Sequence, residues 1–195
     1  MGAMRPGAVV IDVGAHVGFY AIAMAKRVGP QGRVWAAEPD PVNQVMLHQH
    51  IALNGVSAQV QVIPAGISDQ KGTAILHQQG LQSQLLAAGM TTPGVTVNLT
   101  TIDAVIEDAA VDLILVDVEG FELPVLRGAS ALLGSSTRRP GIMVIEVHPY
   151  AWAESGTTSA GLLGWLSQHG YVVTDPHGRP VTEITTYGHV IARLA

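Results

Sequence analysis

Cysteine is absent from the 195-residue chain. That excludes disulfides, thiolate metal centres and a cysteine nucleophile, and it fits a cytoplasmic protein. Charge is sparse: Asp, Glu, Lys and Arg make up 13% of the residues, for a net charge of −5. The basic residues are scattered and form no stripe that would neutralise a phosphate backbone, which argues against a nucleic-acid partner. Aromatic residues are few, two Phe, four Tyr and three Trp, so no stacking platform for a base stands out. No apolar run approaches the roughly 20 residues that a membrane span requires. The opening Met1–Gly7 lacks the basic-then-apolar layout of a signal peptide, and residues 1–8 read as a flexible N-terminus or a cloning remnant.

What is present is apolar. With 48% hydrophobic residues, the chain is long enough for one well-cored domain and too short for two ordinary ones, so residues 1–195 read as a single domain. Val9–Val13 is a β-branched run ending in Asp-Val-Gly, the pattern of a buried parallel strand entering a tight turn. Phe19–Val28 carries apolar residues at helical spacing and stops at Gly29-Pro30. Arg33–Ala37 is a second strand. Asp40 with Pro41 opens a second helix that runs to Asn54-Gly55, and Val60–Ile67 is a third strand. Strand and helix alternating in this way over about 60 residues predict a doubly wound, mostly parallel sheet with helices on both faces, an α/β fold of three layers.

The rhythm then changes. Gly72–His77 and Val95–Thr100 read as a strand pair around a Gln/Gly-rich stretch, Gln78–Gly94, which is expected to be a mobile loop. Residues 70–102 are thus a hairpin-like insertion. Alternation resumes with a strand at Val111–Val116, a helix at Leu123–Leu133, a strand at Gly141–Val147 and a helix at Ser159–His169. Two last strands, Tyr171–Thr174 and Gly188–Leu194, are expected to pair antiparallel.

Three constellations carry chemistry. The first is Asp12-Val-Gly14-Ala15-His16-Val-Gly18 at a strand-to-helix junction, where glycine admits a sharp turn and the helix start offers free N–H groups. Glu38 follows at the end of the second strand, where an acid can accept both hydroxyls of a ribose. The turn has G-x-x-x-G spacing rather than the G-x-G-x-x-G of pyrophosphate binders. Asp12 would repel a pyrophosphate but suits a ligand bearing a sulfonium and an ammonium. The second constellation is Asp117-Val-Glu119-Gly-Phe-Glu122 at the end of the fourth core strand, beside the point where strand order should reverse. Asp117 and Glu119 read as functional there, and Glu122 as an acid stabilised by the dipole of the helix it opens. The third is Glu146-Val-His148-Pro, which places a carboxylate in an apolar run and a titratable imidazole at the same sheet edge. His48, His50, His77, His169, His177 and His189 read as surface or packing residues. Tyr150, Trp152 and Trp165 read as packing residues too, although the first two follow the fifth strand, where an acceptor pocket would lie.

In order along the chain stand Asp12-Val-Gly-Ala-His-Val-Gly18, Glu38-Pro39, Ile67-Ser-Asp-Gln-Lys-Gly72, Thr101-Ile-Asp103, Asp117-Val-Glu-Gly-Phe-Glu-Leu-Pro-Val-Leu-Arg-Gly128 and Ile145-Glu-Val147. Together they resemble the FkbM family of S-adenosylmethionine-dependent methyltransferases, from Val9 to about Tyr150. The resemblance implies the Rossmann-like class I methyltransferase sheet of seven strands with the last inserted antiparallel. It implies S-adenosyl-L-methionine as cofactor, with Asp12, Gly14, Ala15, His16 and Gly18 around its methionine part and Glu38-Pro39 at its ribose. Gly66, Ser68 and Asp69 would approach the adenine, and Asp117 would border the cofactor. Family members act on hydroxyl groups of sugars, lipids or polyketide-type products, so a small-molecule, sugar or lipid acceptor is implied. Ser83 matches a serine of the family's insertion.

One departure stands out. The family carries a longer segment ahead of its first strand, so the expectation is either a truncated or minimal version of the family, or a lid over the cofactor supplied by the Gln78–Gly94 loop or by another subunit, a homo-oligomer included. For activation of a hydroxyl, Glu119, His148 or Asp117 is the expected base, and a divalent cation such as Mg2+ held by Asp117 and Glu146 is the alternative. Two other classes compete: a non-catalytic S-adenosylmethionine-binding module, and an NAD(P)-dependent oxidoreductase, against which the glycine spacing argues.

Overall fold

A computed structural model describes residues 4–79, 82–86 and 94–195, with side chains for 4–77 and 94–195. The expectations for residues 1–3 and for a lid across 80–81 and 87–93 lie outside the described residues, as does the side chain of Ser83. Eleven strands are present among the described residues. They are β1 (Val9–Val13), β2 (Arg33–Ala37), β3 (Val60–Ile63), β4 (Gly66–Ile67), β5 (Gly72–Gln79) and β6 (Gln82–Leu86), then β7 (Val95–Thr100), β8 (Leu113–Asp117), β9 (Ile142–Val147), β10 (Tyr171–Thr174) and β11 (Gly188–Leu194). The helices are α1 (Phe19–Val28), α2 (Pro41–Leu53), α3 (Ile102–Ile106), α4 (Glu122–Arg127), α5 (Ser130–Gly134), α6 (Trp152–Ser155) and α7 (Ser159–Gln168).

Seven strands form the main sheet in the order β10-β11-β9-β8-β1-β2-β3. All neighbours from β9 to β3 run parallel, and β11 enters antiparallel beside β9. This is the mostly parallel α/β sheet expected. Chain order reverses between β1 and β8, where Val13 lies opposite Val116. The carboxyl ends of these two strands therefore part around a crevice, the place where open α/β sheets take ligands.

Local chemistry explains the elements that frame this crevice. β1 is buried on both faces from Val10 to Val13, which an unbroken β-branched run tolerates and an alternating one would not. α1 buries Ala21, Met24, Ala25 and Val28, one helical stripe, against the sheet. Asp40 caps α2 by accepting the N–H of Val42 at 2.8 Å, with Pro41 at the first helical position. On the other face of the sheet, the core gathers around Ile114, Leu126, Leu132, Met143 and Leu162, all fully buried.

Several boundaries differ from the sequence reading. The third strand stops at Ile63, because Pro64 cannot donate to a ladder, and Gly66–Ile67 pairs instead with β7 in a second sheet of order β4-β7-β5-β6. The insertion holds a third strand, β6, which pairs antiparallel with β5, so 82–86 is not loop. The helix expected over Leu123–Leu133 is broken at Gly128 into α4 and α5. A Cβ at Gly128 would overlap the carbonyl oxygen of Ser68, so the break brings the two segments into backbone contact. α3 was not foreseen. Thr101 caps it at 3.1 Å, and Asp103 accepts the N–H groups of Ala131 and Leu132 at the start of α5. The Thr-Ile-Asp motif is thus structural.

Candidate functional site

The β1–α1 turn is built by tight backbone packing. Gly14 has φ +86, and a Cβ there would overlap the carbonyl oxygen of Asp117 on the neighbouring strand. His16 takes a left-handed φ of +50, a conformation that costs a non-glycine residue of order 1 kcal/mol. Its N–H is held by Oε2 of Glu38 at 2.8 Å. Oε1 of Glu38 accepts the Asp40 N–H at 2.8 Å and the Asn43 amide at 3.3 Å. One buried carboxylate thereby ties the turn after β1 to the turn after β2. A carboxylate has about four acceptor positions, so Glu38 retains capacity for a ligand hydroxyl.

These turns enclose a cleft of about 240 Å3. Its walls include Val13, Gly14, His16, Glu38, Pro39 and Asn43 on one side and Asp117, Val118, Glu119 and Phe121 on the other. Ala65, Gly66, Ile67 and Leu76 close the far end. Of the residues expected around a cofactor, Gly14, His16, Glu38, Pro39, Gly66 and Asp117 stand on its walls. Asp12, Ala15, Gly18, Ser68 and Asp69 do not; the first four are buried behind the walls and Asp69 is exposed. Ser68 is spent on structure, its N–H donating to the Thr100 carbonyl and its hydroxyl to Asp69 at 3.2 Å.

Asp12 is buried behind the turn, and its Oδ2 has no hydrogen-bond partner. Burial pushes its carboxyl up to about 7, with the charges of Asp117 and Glu38 adding and the Ala21 N–H opposing. Burial also raises Glu38, against the hydrogen bonds it accepts, and raises Asp117, where the charge of Glu146 adds. A buried carboxylate with one oxygen unsatisfied, just behind the cleft wall, adds negative potential there and so favours a cationic ligand.

Beyond Asp117 the site continues into a second polar group at the ends of β8 and β9. His148 is 2% exposed and Glu122 not exposed at all. Oε1 of Glu122 accepts from the His148 backbone at 3.1 Å and lies 2.9 Å from its Nδ1, while Oε2 accepts the Trp152 indole N–H at 2.8 Å. With Nδ1 engaged by an anion, its proton sits there and Nε2 is left as an acceptor. Nε2 lies 3.8 Å from Asp117 Oδ1 and 3.9 Å from Glu119 Oε2, too far for a hydrogen bond. Tyr150 donates to Glu119 at 2.7 Å and Tyr187 donates to Glu146, so both phenols stand over the imidazole. Burial works to lower the His148 pKa. The hydrogen bond to Glu122 and the charges of Glu119, Glu122 and Asp117 together outweigh it, and the net direction is up.

These shifts share one sign. Asp12, Glu38, Asp117 and His148 each hold a proton more tightly folded than unfolded, so the ligand-free fold loses stability as pH rises from about 4 through 7 and beyond. Thermal unfolding at pH 5 and pH 8 is expected to give the higher midpoint at pH 5; a higher midpoint at pH 8 would refute the assigned directions.

The comparisons with known proteins follow from this geometry. The Methyltransferase FkbM domain matches residues 12–173. The chain belongs to the FkbM methyltransferase family. Among curated proteins, the methyltransferase sdnD of Sordaria araneosa is 36% identical over 64 residues, covering 33% of this chain and 24% of that protein. Among solved structures, methyltransferase FkbM from Methylobacillus flagellatus has a TM-score of 0.62 at 18% identity, covering 98% of this chain and 48% of that one. A SAM-dependent O-methyltransferase from Thermotoga maritima has a TM-score of 0.56 at 14% identity, over 98% of this chain and 61% of that one. The chain spans about a quarter of the curated relative and about half of the Methylobacillus FkbM chain.

Within this FkbM domain, the structure brings Asp117, Glu119, Glu146 and His148 together as the motifs suggested. It adds a role to Glu122, which stands in the first turn of α4 as read. That residue opens α4, yet α4 starts beneath the end of β9, and the carboxylate orients His148 and Trp152 instead of facing water. Trp152 packs as expected while also donating to Glu122, whereas Tyr150 is exposed. His189 is not an idle surface residue, since its Nε2 meets Glu146 Oε2 at 3.3 Å. Tyr187 and His189 reach the group from β11 and its approach, 41 and 43 residues after Glu146, and no local motif announces them. Among the described residues no helix is long and apolar enough to cross a membrane.

Proposed function

We propose that this FkbM domain transfers a methyl group from S-adenosyl-L-methionine to a hydroxyl of a small molecule, sugar or lipid, with His148 as the base. The observation that carries the reading is the continuity of two sites: a cleft bounded by the Gly14 turn and Glu38 opens at Asp117 onto the Nε2 of His148. The residues present fit the cofactor, since the unsatisfied Oδ2 of buried Asp12 adds negative potential behind the cleft wall and Glu38, which already accepts three hydrogen bonds, keeps about one further acceptor position. When bound, the cofactor supplies an activated methyl on a sulfonium.

The chain's own residues do the rest. Gly14 and His16 shape the turn, Glu38 would accept a ribose hydroxyl, and Gly66 with Ile67 would lie against the adenine. The acceptor hydroxyl stands at Nε2 of His148 and gives its proton there as its oxygen takes the methyl. Glu122 holds the ring so that Nε2 remains the accepting nitrogen, and it stabilises the imidazolium that forms. Tyr150 and Tyr187 wall the acceptor side, and alignment of the two partners contributes most of the acceleration. Incubation with S-adenosylmethionine and a panel of polyols, glycosides and hydroxylated lipids tests the reading. Release of S-adenosylhomocysteine with the methyl found on oxygen is expected. A product methylated only on nitrogen or carbon would overturn the O-transfer assignment.

The Asp12 carboxylate gives a further expectation. Below pH 7 it is neutral and above pH 7 it is an anion beside the cleft. Affinity for S-adenosylmethionine should therefore rise by about tenfold between pH 5.5 and 8.5, while the apo fold weakens over the same range. Calorimetry at the two pH values measures it, and affinity falling with pH would contradict the role of Asp12.

A second reading is supported by one observation. Single donor atoms from Asp117, Glu146 and His148 all lie within 4.8 Å of one another. That set can hold a divalent cation, and the imidazole favours Mn2+ or Zn2+ over Mg2+. Such a cation would lower the pKa of an alcohol bound to it. Turnover that survives exhaustive chelation removes this reading; loss on chelation with recovery on adding one metal replaces the His148 base with it.

A further inference from the structure

The opposite edge of the main sheet, at the amino ends of β1, β8 and β9, holds a second and larger cleft of about 640 Å3. Its walls carry Arg5, Arg138, Arg139 and Arg193, four of the ten Lys and Arg residues in a chain whose net charge is −5. Only one carboxylate, Asp112, lines it. That group is committed to the Val9 N–H at 2.9 Å and to Arg5 at 3.4 Å. Arg138 meets Asp108 at 3.8 Å, but that carboxylate is fully exposed and outside the cleft. Such a pair contributes little.

The other two guanidinium groups have neutral partners. Arg139 donates from Nη1 to the His169 carbonyl at 3.2 Å, and its Nε is buried with no partner at all. Arg193 donates to the Thr174 hydroxyl at 3.3 Å. Among the described residues, neither meets a carboxylate. Four like charges on one concave wall repel one another, and a buried N–H without an acceptor carries a desolvation cost. An oxyanion in the cleft relieves the repulsion and gives the Arg139 guanidinium the anionic partner it lacks, since guanidinium forks match phosphoryl oxygens in bidentate geometry.

We propose that this cleft is a binding site for a small phosphoryl-bearing anion, held by Arg139 and Arg193 with Arg5 and Arg138 at its rim. The site cannot take part in methyl transfer. The five residues of β1 separate it from the Gly14 turn, about 16 Å of strand. The assignment does not rest on the methyl-transfer reading. Nor is a nucleic-acid backbone the fitting ligand, because the four guanidinium groups converge on one concave wall of a chain whose net charge is −5.

Calorimetric titration of the full chain with pyrophosphate at constant ionic strength tests the site. Binding tighter than about 1 mM is expected, weakened about tenfold or more in Arg193→Gln and abolished in Arg139→Gln/Arg193→Gln. Arg193 is exposed, so the single variant keeps the test valid if the double variant fails to fold, which its thermal unfolding would report. Three results would overturn the proposal: no binding of pyrophosphate, affinity unchanged in a folded Arg193→Gln, or citrate binding as tightly as pyrophosphate.

Discussion

His148→Ala is expected to lower kcat by about 10²- to 10⁴-fold while leaving the affinity for S-adenosylmethionine unchanged. The split follows from position. His148 is not a wall of the cofactor cleft, and its Nε2 faces Asp117 and Glu119 at the acceptor side. Glu122→Gln should produce a smaller but related defect. An amide can donate as well as accept, so it no longer fixes the Nδ1-protonated tautomer, and the Trp152 N–H loses an anionic acceptor. The pH profile separates this positioning role from simple destabilisation. In the wild type the Glu122 bond helps hold the His148 pKa up, so kcat should climb through a pKa above the ordinary histidine value. In Glu122→Gln that limb should move to lower pH at reduced kcat. An unmoved limb would mean that Glu122 serves only the fold, and wild-type kcat in His148→Ala would remove the base.

The second large effect belongs to Gly14. A methyl group there would overlap the Asp117 carbonyl, and φ of +86 adds strain for any side chain. Gly14→Ala must push β1 and β8 apart at the very point where the crevice opens. A loss of about 2–4 kcal/mol in stability is expected, since backbone strain and overpacking act together. Cofactor affinity should fall by more than a hundredfold, because the Glu38–His16 bond and the Asp117 wall both depend on that crossing. Urea denaturation and calorimetry of the same preparation measure the two effects, and a variant with wild-type values in both would show that the crossing is looser than described.

What was legible in the sequence was local. The β-branched run of β1, the cap of α2 and the acid at position 38 state their structure within a few residues. The parallel sheet followed from their alternation. Glu122 opens a helix as its place in the sequence implies, but the dipole argument does not tell that this helix start is buried. α4 starts beneath β9, a contact made by residues 26 positions apart. The same reason hid Tyr187 and His189, which reach Glu146 only because β11 inserts antiparallel beside β9. Pro64 is the opposite case: its missing N–H was in plain view, and the third strand could have been ended there. Asp12 was singled out from its place in the turn, but sequence alone does not tell that its Oδ2 is buried without a partner.

The central claim is that the cleft between the Gly14 turn and Glu38 takes S-adenosylmethionine. Calorimetry with S-adenosylmethionine, S-adenosylhomocysteine and NADH, on the wild type and on Glu38→Ala, addresses it directly. The account predicts binding of the first two, none of NADH, and a loss of about tenfold or more in Glu38→Ala as the ribose loses its acceptor. Binding of NADH in preference to S-adenosylmethionine, or no binding of any of the three, would contradict it.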